Sequence, residues 1–97
     1  MSTQNTTVLE QLGRDAAISI AGEEAVQRVE VVPGERLDRP VYYFSFLIDK
    51  ERSRLRQGLL LSRLVQRLGD ELTLRGDERR PVIRLLDHAD WDQRWRA

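Results

Sequence analysis

Asp87-His88-Ala89-Asp90-Trp91-Asp92 gathers three carboxylates around the sole histidine of the chain, and no other cluster combines side chains able to hold a hard cation or accept a proton. A calcium-type loop needs a glycine at its sharp turn and several converging oxygens, and a histidine base needs an orienting partner in an enclosed pocket. This segment contains no glycine, no second histidine and no cysteine. Its expected role is therefore a polar link in which Asp87 or Asp90 caps a last short helix. Trp91 and Trp95, four residues apart, would share a face of that helix, laying two indoles over a sheet or presenting them to a partner.

The second chemically suggestive set is a row of arginines. At about 100° per residue, Arg52, Arg56, Arg63 and Arg67 fall on one side of a helical wheel, while Leu61, Leu64, Val65, Leu68 and Leu72 fall on the other as a core-facing stripe. Such a row could grip phosphates, with Arg79 and Arg80 adding to it. Glu51, Asp70, Asp77 and Glu78 are interleaved, however, and there is no aromatic RNA-binding motif or helix-turn-helix pair. Leu59 and Leu60 flank the arginine arc and would leave apolar area exposed, which a self-associating or partner-binding face explains more simply.

Asp49 is the expected N-cap of this long helix, with Glu51 suited to the dipole in its first turn. Either Gly69 ends it, leaving Glu71 to Arg75 as a strand, or it runs on to Gly76; Leu72 continuing the stripe and Pro81 following favour the stop near Gly76. Upstream, residues 1–6 form a frayed polar tail and residues 7–97 one domain. Thr7-Val8-Leu9-Glu10 fits a capping box opening a short helix to about Ala17. Ala25 to Val32 reads as an outer strand closed by Pro33-Gly34, with a longish polar connection through Arg39-Pro40. Val41 to Ile48 is almost wholly apolar, the pattern of a central strand covered on both faces. Pro81 to Leu86 supplies a third strand after the crossover. The fold class is thus α+β: N-terminal helix, β-hairpin, long amphipathic helix, third strand and short C-terminal helix, the helices packed on a small, mostly antiparallel sheet. Something must cover the sheet's second face: the tail helix, a second subunit or a partner.

Composition narrows the function classes. Lys+Arg 16 against Asp+Glu 16 leaves no net charge to draw the chain to nucleic acid or an anionic membrane, and with Lys50 the lone lysine, the arginine bias matches that of a GC-rich genome. The absence of cysteine removes disulfides, thiolate catalysis and thiolate-held metals. No apolar run approaches the roughly 18 to 20 residues of a membrane span, and the N-terminus lacks the pattern of a secretory signal, so a cytoplasmic bacterial protein is the default. No phosphate loop, nucleophile elbow or paired-histidine motif is present, and no cofactor is implied. The expectation is a non-catalytic interaction or accessory module, dimeric or bound to a protein partner, contacting it through Arg52, Arg56, Leu59, Leu60, Arg63, Arg67, Trp91 and Trp95. A nucleic-acid-binding module using the arginine face is the alternative, and an enzyme built on His88 comes third.

Overall fold

In the computed structural model, which describes residues 5–94, the chain begins with helix α1 (Thr6–Ala21) and a short 3-10 turn (Glu23–Ala25). Strands β1 (Val26–Arg36) and β2 (Arg39–Ile48), helix α2 (Gln57–Leu74), strand β3 (Arg80–Leu86) and helix α3 (His88–Asp92) follow. This is the expected α+β order. The sheet runs β1-β2-β3, with β2 antiparallel to β1 and parallel to β3, so it is mixed and β2 is central.

Side-chain alternation on β2 divides the sheet into two faces. Tyr42, Phe44, Phe46 and Ile48 point to the face bearing α1 and α2, where they meet Val26 and Val31 of β1, Leu9, Ala16, Ala17 and Ala21 of α1, and Leu60, Leu64, Leu68 and Leu72 of α2. Gly13 lets α1 lie close to the sheet: a Cβ there would stand 3.2 Å from a ring carbon of Phe44 and 3.4 Å from one of Phe46. Close approach to the aromatics thus accounts for a residue that otherwise weakens a helix. The opposite face carries Arg28, Glu30, Tyr43, Ser45, Leu47 and Arg84, as the strand registers require.

Several boundaries differ from those read in the sequence. Asn5 rather than Thr7 caps α1, its Oδ1 accepting from the Thr7 backbone N–H at 2.8 Å, and Thr6 already belongs to the first turn instead of a tail. Glu10 closes no capping box, because its carboxylate accepts from the Val31 backbone N–H of β1 instead. Ile18-Ser19-Ile20 extends α1 to Ala21. Pro33-Gly34 lies inside β1; the reversal is made by Leu37 and Asp38, both with positive φ, between the paired Arg36 and Arg39. Positive φ at both loop residues marks the tight type I′ hairpin, whose twist matches that of the strands.

Asp49 caps no helix. Its side chain accepts from the Glu51 backbone N–H at 3.1 Å and stands 3.5 Å from the Arg52 guanidinium, forming a turn that leads to α2 eight residues later. The end of α2 follows the Gly76 reading. Gly76 (φ 73) donates its N–H to Thr73 and Asp77 donates to Leu72, the paired bonds of a Schellman stop. Asp77 then accepts the buried Tyr42 hydroxyl at 2.6 Å and the Arg79 backbone N–H at 2.9 Å, fixing where β3 begins.

Candidate protein-interaction surface

The residues expected to form one binding face occupy separate places. Only Leu59, Leu60, Arg63 and Arg67 are helical members of α2; Arg52 lies in the preceding turn and Arg56 is the residue before the first helical position. Leu60 is fully buried, as the first rung of the ladder Leu60-Leu64-Leu68-Leu72, whereas Leu61 and Val65 are exposed. The expected stripe is therefore rotated toward Leu60, because α2 packs on β3 beneath it and on α1 beside it. Leu59 is exposed, as expected. Arg63 and Arg67 border an open depression of 410 Å³ with Ile20 of α1, Gln66 and Asp70, and Arg67 approaches Glu71 at 4.0 Å.

Trp91 is on the far side of the sheet. It is buried against the outer face and enclosed by two cations, with the Arg94 guanidinium carbon 3.9 Å and that of Arg28 5.9 Å from its ring centroid. Arg94 clamps the helix down by a bidentate pair with Glu30, both bonds 2.9 Å, while Arg84 donates to the Arg94 carbonyl. The Glu30 carboxylate raises the Arg94 pKa further above its ordinary value. The second sheet face, which required a cover, is thus covered in part by the chain's own C-terminal helix. Trp95 lies outside the described residues.

Asp87 caps α3, its carboxylate accepting from the Asp90 backbone N–H at 2.8 Å, which also holds the Asp87 pKa below the ordinary carboxylate value. His88, Ala89 and Asp90 are exposed on that turn beside a shallow 310 Å³ hollow lined also by Asp49, Lys50 and Glu51. Among the described residues no three histidine, aspartate or glutamate side chains converge as metal ligands.

The surface the structure does assemble lies on the flank of α2 turned away from α1. Arg63, Gln66 and Arg67 share the α1 side with Ile20, which leaves Leu61 and Val65 on the other flank, one helical turn apart. Since α1 packs on β1 and α2 on β3, that flank stands above the outer edge of β3. Gly58 and Gly69 continue it, and a Cβ at either would touch nothing.

The two sheet edges differ. On β1, Glu10 engages the Val31 N–H, Pro33 supplies no N–H, and the register shifts between Val26 and Arg28, all features that discourage further pairing. On β3, no strand among the described residues pairs with the outer edge, and every residue from Pro81 to Leu86 is half-buried. Sequence reasoning placed Leu61 and Val65 in the core-facing stripe, where the structure leaves them exposed, and did not single out the β3 edge. The signal for the edge was its position as the last strand after a crossover, although Arg80, Pro81 and Arg84 lie on it.

No family model, curated protein or solved structure matches the chain. No helix among the described residues is long and apolar enough to cross a membrane.

Proposed function

We propose that this chain is a non-catalytic protein-interaction module whose contact surface is the Leu61/Val65 flank of α2 together with the outer edge of β3. The observation that carries the reading is the difference between the two sheet edges: on β1 the Glu10 carboxylate occupies the Val31 N–H and the register shifts near the strand's start, while β3, which lacks an N–H only at Pro81, keeps its register along its length beneath two exposed aliphatic side chains. Apolar area beside a strand edge that no described strand pairs with is the combination that strand-adding interfaces bury. The arginine-face alternative has weaker geometric support, since Arg52 is paired with Asp49 in a turn and Asp70 sits in line with Arg63 and Arg67.

A photo-crosslinking side chain placed at Leu61 in living cells tests the proposal. It is expected to trap a discrete polypeptide, and the same group at Arg14 on α1 is not. No discrete product from Leu61, or an equal yield in a Val65→Glu background, would sink the reading. For the alternative, anisotropy with mixed RNA and DNA oligomers at low salt serves: nucleic-acid binding must weaken with salt by about one unit of log–log slope per arginine contact.

A further inference from the structure

Resting on that interaction reading, we infer that the partner at this surface is a second copy of the chain, joined β3 to β3 across a two-fold axis at Ile83 into a continuous six-stranded sheet.

An edge strand is self-complementary under a two-fold axis perpendicular to the sheet, because the operation sets the strand antiparallel to itself and keeps both helix-bearing faces on one side. The obstructed β1 edge is unsuited to serve as the donor, so the pairing is β3 with β3 rather than β3 with β1.

Charge then selects the register. Centring the axis on Val82 places Arg80 opposite Arg84 of the other copy, and centring it on Arg84 sets two Arg84 side chains against each other. Either juxtaposition of like charges is unfavourable. Centred on Ile83, the strands oppose Ile83 to itself, Val82 to Arg84, Pro81 to Leu85 and Arg80 to Leu86, with no like charges facing. The helix-bearing row of that pairing is apolar throughout: Pro81, Ile83 and Leu85, of which Ile83 and Leu85 already pack against the core within each copy.

The same axis brings the two α2 helices side by side on one face. Leu61 and Val65 of each copy then meet their equivalents, and the absence of side chains at Gly58 and Gly69 permits close approach at either end of the contact. A foreign extended peptide could satisfy the backbone edge alone. It would not by itself cover a helix flank that projects above it, whereas a second copy supplies both the strand and the matching flank.

Because the chain contains no cysteine, a single Ile83→Cys variant reports the axis directly. Residues opposite each other in an antiparallel pair lie about 4.5 to 5.5 Å apart at Cα, within disulfide reach. Sedimentation equilibrium of the wild type should give twice the 11.3 kDa chain mass. Mild oxidation should link Ile83→Cys into a covalent dimer but leave Gln27→Cys, on β1, monomeric. The Leu61→Glu, Val65→Glu double variant substitutes exposed positions and should fold, as circular dichroism would verify, while raising the dimer dissociation constant at least about tenfold.

A wild type monomeric at high micromolar concentration overturns the second-copy inference. So does a dimer that the double variant leaves intact and that Ile83→Cys fails to link. If the monomer is accompanied by a cellular crosslink from Leu61 to a different polypeptide, the interaction reading stands and only its partner is wrong. If the crosslink is absent as well, both fall.

Discussion

Truncating Leu60 to alanine removes a side chain with no solvent exposure from the ladder that α2 lays on the core, and should cost about 2 to 5 kcal/mol in urea unfolding. Leu59→Ala touches an exposed neighbour and should shift stability by less than about 0.5 kcal/mol. Comparable losses in the two variants would mean that the helix is rotated differently. The sequence could not separate this pair because Leu59, Leu60, Leu61, Leu64, Val65, Leu68 and Leu72 cover more of the helix circumference than one interface can bury. Periodicity then fixes a helix without fixing its phase. The phase is set by α1, whose position beside Arg63 and Arg67 is a tertiary fact.

Asp87 illustrates a residue whose role was legible, since an aspartate before a short helix with an amide three positions on is a local arrangement. The Asp90 N–H stabilises its charged form, so its folded pKa lies below the unfolded value. The capping contribution is consequently complete above the ordinary carboxylate range and is lost as pH falls through the lower folded value. The Asp87 side-chain carboxyl carbon resonance, followed by NMR during acid titration, should move with a midpoint below that of an aspartate in an unstructured peptide. A midpoint at or above the unstructured value would argue against the cap.

At the scale of elements, local stop signals were readable only where their chemistry was unambiguous. Gly76 at a helix end was one, because the left-handed conformation it adopts suits glycine. The β1–β2 reversal was hidden: Leu37 and Asp38 are not typical residues for a type I′ turn, while Pro33-Gly34 resembled one and lies within β1. Asp49 likewise carried a helix-start signature that the structure uses for a side-chain turn with Glu51 and Arg52. Leu37 has 89% of its surface exposed and holds a positive φ without evident packing in return. Replacing Leu37-Asp38 with Asn-Gly should therefore stabilise the domain by about 1 kcal/mol. Thermal denaturation decides it, and a lowered midpoint would argue against a type I′ turn there.

At the scale of the whole molecule, the apolar composition of Val41 to Ile48 announced a strand covered twice, and the cover on the helix-bearing face was foreseeable from α1 and α2. On the other face the tail helix was one of three covers the sequence left open, and what selects it was not legible. It depends on Arg94 reaching Glu30, 64 positions away in the chain, and on Arg28 and Arg94 flanking Trp91. Burial of Trp91 removes it from the expected contact surface, while Leu61 and Val65 stay exposed on the flank of α2 beside the β3 edge. If two copies close that region, folding and association become linked, since dissociation re-exposes Leu61, Val65 and the strand edge. For a dimer of this chain length the melting temperature should rise by about 3 °C for each tenfold increase in protein concentration, the entropy of unfolding two chains setting the slope. Differential scanning calorimetry across two decades of concentration measures it. The Leu61→Glu, Val65→Glu variant should melt at a temperature independent of concentration, whereas Arg63→Ala, on the α1 side of α2, should retain the wild-type slope. A flat wild-type profile would remove the second-copy dimer, and a slope abolished by Arg63→Ala and kept by the double variant would place the contact on the arginine side instead.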